Sequence, residues 1–198
     1  MKMRVLDIRP TQMAMGMKEV DLRIEKLKAM RGAELRKYLS ERKIPVVLGP
    51  RRRTYCVDHH HLLRACWEAG IKAVPVEVKA DFSKYSMPAF WKALREARWI
   101  FLYDQFGRGP HDPVQLPESI RCLPDDPFRS LAWLVREKGG YRKTGHPFAE
   151  FRWAEFFRKR LKMHPVFDHM EGALQEALKA ARRPSAGSLP GFIRDSRR

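Results

Sequence analysis

One stretch of the chain concentrates residues able to handle phosphate. Tyr55-Cys56-Val57 is followed directly by Asp58, by three consecutive imidazoles, His59, His60 and His61, and then by Leu62-Leu63-Arg64-Ala65. The aromatic and β-branched run before the acid and the apolar pairs after it predict a strand passing straight into a helix. The first N–H groups of a helix have no acceptor inside it, and the helix dipole adds positive potential there, so an anion at that point is favoured by both. Imidazole adds donors near neutral pH, and Arg64 lies one turn further along. Phosphate is the natural guest. Asp58 has a structural reading too, as an N-cap accepting from backbone two or three residues on. A metal shared by the three histidines fits less well, because consecutive helical positions point in different directions and ligand pairs sit three or four apart. No metal is expected on them.

Other clusters are open to two readings. Asp125 and Asp126 stand before Pro127 with Arg129 close by, which suits either a helix cap or a magnesium site. Asp104, Gln105, Gly107, Arg108 and His111 share a Gly/Pro-rich loop, either solvated or lining a cleft. Arg51, Arg52 and Arg53 form one basic run, and Arg158, Lys159 and Arg160, continuing to Lys162, form another. Together with the tail ending Arg194-Asp195-Ser196-Arg197-Arg198, they make a surface suited to nucleic-acid backbones, with strong salt dependence and little sequence preference.

The elements that position these residues follow from periodicity. Arg4 to Ile8 alternates as a strand, Val20, Ile24 and Leu27 mark a helix, and Leu35, Tyr38 and Leu39 mark a second one beyond Gly32. Ile44 to Leu48 and Thr54 to Val57 read as a hairpin around the basic loop, Leu62 to Ala69 as the helix after the histidines, and Val74 to Val78 as a further strand. The rest is helical. Ser86 and Pro88 start a helix through Ala97, and Asp125 to Pro127 start one that stops at Gly139-Gly140. Phe148 to Leu161 carries Trp153, Phe156 and Phe157 on one face, and Phe167 to Ala181 forms a last apolar stripe. The expected class is α+β, a small mixed sheet with helices over residues 1–84, a helical C-terminal half over 85–182 packed on it, and a flexible basic tail over 183–198.

The totals agree with an anionic partner. Lysine and arginine number 40 against 23 acids among 198 residues, a net charge of +17, and such an excess favours nucleic acid or nucleotide over other partners. Cys56, Cys66 and Cys122 lack Cys-x-x-Cys spacing, which argues against a disulfide framework or a zinc site. No apolar run is long enough for a signal peptide or a membrane span, so a cytoplasmic protein without membrane contact is expected.

Asp58-His59-His60-His61 with Leu62-Leu63-Arg64-Ala65 and Ala69-Gly70 resembles the strand-to-helix motif of the ParB/sulfiredoxin superfamily, which often reads Asp-Gly-His-His-Arg or Gly-Glu-Arg-Arg-x-Arg-Ala. Arg9-Pro10-Thr11-Gln12, Gly16, Glu19-Val20, Ile44 to Val47 and Val74 to Val76 follow the order of that domain over roughly residues 4 to 80. Phe90-Trp91, Asp125 to Ser130 and Phe148 to Phe151 resemble its ParB-like nuclease branch, extending the likeness to about residue 162. Two residues depart from the motif: His59 replaces its glycine, and Leu62 stands at its arginine, whose charge Arg64 is expected to supply. A sulfiredoxin activity is not expected, since the resemblance implies a cysteine inside the turn and Cys56 precedes it. A segregation role is not expected either, because no helix-turn-helix follows residue 80.

The resemblance implies three activities. In a nuclease, His60 and His61 orient the scissile phosphate while Glu19 or Asp58 activates water. In a free-serine-type kinase, the same turn holds the phosphates of ATP or ADP with Mg²⁺, and Glu19 is the base, with Glu25 as its rival. In a binding module, nucleotide or DNA is held without turnover. In each, the phosphate-binding group is His59, His60, His61, Arg64 and Gln12.

Overall fold

In the computed structural model, which describes residues 1–162, 166 and 168–194, the chain folds as two compact units, Met1–Asp125 and Asp126–Arg198. The class is α+β as expected, with a five-stranded mixed sheet in the first unit. Among the described residues no helix is long and apolar enough to cross a membrane.

The sheet is built from β1 (Lys2–Arg4), β2 (Ile8–Arg9), β3 (Ile44–Leu48), β4 (Thr54–Cys56) and β5 (Ala73–Asp81), in the spatial order β1-β5-β3-β4-β2. β5 pairs antiparallel with β1 and parallel with β3, while β4 pairs antiparallel with β3 and parallel with β2. The run from Arg4 to Ile8 is two short strands on opposite edges, joined by the 3₁₀ turn Val5–Asp7. Four residue steps reach about 14 Å at full stretch, whereas five flat strands span roughly 19 Å. The sheet must therefore curl until its edges approach each other.

Alternation along β3 and β4 sends side chains to two cores. Val46 and Cys56 join Ile8, Ile44, Val74 and Val76 under α1 (Met17–Ala29), α2 (Gly32–Ser40) and α3 (His60–Glu68). Val47 and Tyr55 face the other way, against Phe90 and Leu94 of α4 (Met87–Glu96) and Ile100, Leu102 and Leu116 of the following loop. Both faces need covering, so the first unit runs to Asp125 and not to residue 84.

The second unit holds α5 (Pro127–Glu137), α6 (Ala149–Arg158) and α7 (Met170–Ala181) around Trp153, which stacks on Tyr141 at 4.3 Å. The expected flexible tail is packed over its described part. Ala186 is buried, Trp153 Nε1 donates to the Pro190 carbonyl at 2.8 Å, and Arg142 N donates to Gly191 O at 2.8 Å. The Phe167 start of the last stripe and the residues from Asp195 to Arg198 lie outside the described residues.

Candidate functional site

The strand-to-helix turn forms as its residue types predict. Val57 N donates to Pro45 O at 3.0 Å, holding the end of β4 in place. His59 then turns the chain with φ 62° and ψ 27°, and its carbonyl accepts the first helical hydrogen bond, from Leu63 N at 2.9 Å. This left-handed conformation is one a side-chain-bearing residue adopts at a cost of roughly 1 kcal/mol or more. It gives a physical reason for glycine at this place in the motif that the chain resembles. The first-turn amides of α3, on His60, His61 and Leu62, have no acceptor within the helix, as its geometry requires.

The three imidazoles have different surroundings. His59 is exposed. His60, 7% exposed, has its Nε2 accepting the backbone N–H of Thr11 at 3.1 Å, while Thr11 Oγ1 lies 3.4 Å from the same nitrogen and donates to Cys56 O at 2.8 Å. His60 thus ties the helix start to the segment after β2. Nε2 acts as an acceptor, so the proton of the neutral ring belongs on Nδ1. Next to Thr11, Gln12 is 5% exposed and its Nε2 has no hydrogen-bond partner among the described residues. A buried amide donor left unmet costs about 1–3 kcal/mol and is satisfied if an acceptor enters the site.

His61 Nδ1 stands 3.5 Å from Glu19 Oε2, and Glu19 Oε1 accepts from Arg23 Nε at 3.0 Å and Nη2 at 2.6 Å. Glu19 is 8% exposed, whereas Glu25 on the same helix is exposed to solvent. The helical phase of α1 therefore places Glu19, and not its rival, beside the turn. Arg23 was missed in the sequence, although its spacing four residues after Glu19 is the signal for such a pair.

The remaining candidates go elsewhere. Asp58 does not cap α3: its Oδ1 accepts from the adjacent His59 N, at 2.7 Å, and it is exposed. The Arg64 guanidinium is engaged with Glu68 at 2.7 Å and with the carbonyls of Ile120 and Leu123 at 3.2 and 3.1 Å, pinning a loop to α3. Arg51 and Arg52, both at positive φ, and Arg53 lie in the hairpin loop at the opposite end of β4 from the turn. In the second unit Arg158 pairs with Asp126 at 2.6 Å and Glu155 at 2.9 Å, Lys159 pairs with Glu155 at 3.3 Å, and the Arg160 guanidinium lies 3.7 Å over the Phe156 ring.

The paired aspartates act as caps on different helices. Asp125 Oδ1 accepts from Met17 N at 2.9 Å, at the start of α1, and Asp126 Oδ1 accepts from Phe128 N at 3.0 Å, at the start of α5. Burial pushes the Asp126 carboxyl up, with the Arg158 and Arg129 charges opposing. Among the described residues no group of three or more His, Cys, Asp or Glu side chains is placed to hold a metal ion.

The cysteines near the turn are held as thiols. Burial pushes Cys56 well up, the Asp58 charge adds to this, and the bond from its thiol to the Asp58 carbonyl opposes it. Burial likewise pushes Cys66 up to about 12. Only a thiolate is a strong nucleophile, so neither is suited to thiol chemistry.

Known proteins place this geometry in context. No curated protein matches the chain. The crystal structure of protein Atu1540 from Agrobacterium tumefaciens is similar at 36% identity with a TM-score of 0.91, covering 98% of this chain and 96% of that one. The family model described as "Putative ParB-like nuclease" matches residues 1–159, which include the whole turn, its Thr11 and Glu19 partners and most of the helical segments after it, and the chain belongs to that family.

Proposed function

We propose that the chain is a nuclease of this family, hydrolysing a phosphodiester of nucleic acid held at the first turn of α3. The observation that carries the reading is the Glu19–His61 pair beside a helix N-terminus, at 3.5 Å. Phosphate oxygens accept from the first-turn amides of α3 and from the Gln12 amide, which offset the charge that grows on them during attack. With Nδ1 held by Glu19, His61 presents Nε2 to a water molecule. As the water oxygen bonds to phosphorus, its proton passes to Nε2, the P–O ester bond breaks, and the departing oxygen takes up a proton.

Glu19 is better suited to orienting His61 and balancing the imidazolium than to taking the proton itself, because Arg23 already holds one of its oxygens. This assigns the base to His61 and makes His60 a positioning residue. The net charge of +17 supports a polyanionic substrate.

The buried Glu19 also favours a second reading, transfer of a phosphoryl group to a small hydroxyl compound, with Mg²⁺ arriving on the nucleotide. One experiment separates the two. The full chain is incubated with end-labelled single- and double-stranded oligonucleotides, and in parallel with ATP or ADP plus serine. Shortened labelled fragments, formed more slowly by Glu19→Gln, are the expected result. Phosphoserine without fragments assigns the site to a kinase, and retained nucleic-acid binding with neither product assigns it to a binding module.

A further inference from the structure

The segment that meets His60 also meets a loop of aromatic and basic residues. Thr11 O accepts from Phe101 N at 2.9 Å, and Gln12 pairs with Phe101 in an isolated parallel bridge. Phe101 thus lies beside Thr11 and Gln12, the segment that reaches the turn through His60, and the Phe101 and Tyr103 rings lie 5.1 Å apart.

Beyond Tyr103 the chain closes into a knot around one carboxylate. Asp104 Oδ1 accepts from Phe106 N at 2.9 Å and Arg108 N at 2.8 Å, and Oδ2 stands 3.4 Å from His111 Nε2. Partial burial opposes ionisation of Asp104, but these N–H groups and the His111 ring hold its carboxyl below the usual range. Its charge is therefore turned inward. Backbone bonds from Asp104 N to Arg108 O and from His111 N to Leu102 O complete the knot. Gly109 is required, since it has φ 150° and a Cβ there would lie 2.5 Å from Leu102 O.

A loop fixed so firmly nevertheless leaves its apolar rings in water. Tyr103 is 38% and Phe106 44% exposed, and the Arg108 guanidinium lies 5.6 Å over the Phe106 ring. Rigid aromatic faces combined with an arginine are what an unpaired base stacks on, whereas duplex bases are already stacked on one another.

We propose that the Tyr103 to Arg108 loop stacks an unpaired base of a single-stranded nucleic acid whose phosphate sits at the first turn of α3. The proposal rests on the phosphate site described above, and it names the substrate as single-stranded. About 7 Å of extended chain separates Phe101 from Tyr103, so base and phosphate sites lie within reach of neighbouring nucleotides.

The test is fluorescence anisotropy of the full chain, at one salt concentration, with a labelled single-stranded oligodeoxynucleotide, its duplex and an abasic strand of equal length. The single strand is expected to bind about tenfold more tightly than either of the others. Tyr103→Ala combined with Phe106→Ala should bring it down to the abasic strand and leave abasic binding unchanged, while Phe106→Trp should retain the preference. Both rings are more than a third exposed, so an unchanged thermal midpoint confirms that the variants fold. Equal binding of base-bearing and abasic strands by the wild type, or a preference that survives the double substitution, overturns the proposal. Failure of the nuclease reading shows separately, as wild-type protein that cleaves no strand while the binding comparison still stands.

Discussion

Replacing His61 with alanine is expected to lower the rate of phosphodiester hydrolysis about 10²- to 10⁴-fold, the usual contribution of a general base. The thermal midpoint should hardly move. His61 lies on the first turn of α3 beside Glu19, which keeps Arg23 when the imidazole is gone. The loss should appear in kcat more than in KM, because the amides that hold the phosphate remain. Glu19→Gln should act in the same direction but less strongly, since it keeps the shape of the site while removing the charge that faces the imidazole and pairs with Arg23. Steady-state kinetics on a small chromogenic phosphodiester, with a thermal melt of each variant, checks both. An unchanged kcat in His61→Ala removes this histidine from the chemistry.

His60→Ala is expected to do the opposite, lowering stability more than chemistry. The substitution removes the acceptor of Thr11 N–H in a buried setting, and an unsatisfied buried donor costs roughly 1–3 kcal/mol. The melting transition that reports the first unit should fall by several degrees, while the specific activity of the folded fraction falls far less than in His61→Ala. His60→Gln, whose amide oxygen can accept from Thr11, should recover part of the lost stability. A melt identical to wild type, with activity lost as completely as in His61→Ala, would exchange the roles given to the two histidines.

The parts of this arrangement that are local in sequence were legible. The hairpin of Ile44 to Leu48 and Thr54 to Cys56, the strand-to-helix turn and the helix carrying Glu19 follow from periodicity and turn residues. Long-range contacts were not. His60 meets Thr11 across 49 residues, and nothing in the spacing of either separates a histidine that holds the backbone from one that holds a carboxylate. Arg64 looked available for phosphate because helical phase puts it one turn from the start, yet its partners Ile120 and Leu123 come from a loop more than fifty residues away.

The limit of the first unit was hidden for a related reason. Val47 and Tyr55 alternate with Val46 and Cys56, which shows that both faces of the sheet are buried, but the cover over the second face comes from Phe90, Leu94 and the loop to Leu116. Composition alone gave no reason to join those helical and loop residues to the strands. The described part of the tail was misleading in the same way. Its Pro, Ser and Gly content reads as flexible, while Trp153, far upstream, bonds to Pro190 and fixes it.

The central claim, that a phosphodiester is held at the first turn of α3, is tested most directly by an amide chemical-shift titration of the full chain with a hydrolysis-resistant phosphorothioate dinucleotide. The largest shifts are expected at the backbone amides of His60, His61 and Leu62 and at the Gln12 side-chain amide, saturating together with one dissociation constant. A saturating titration that leaves these four groups unmoved and shifts amides elsewhere would contradict the assignment of this turn as the phosphate site.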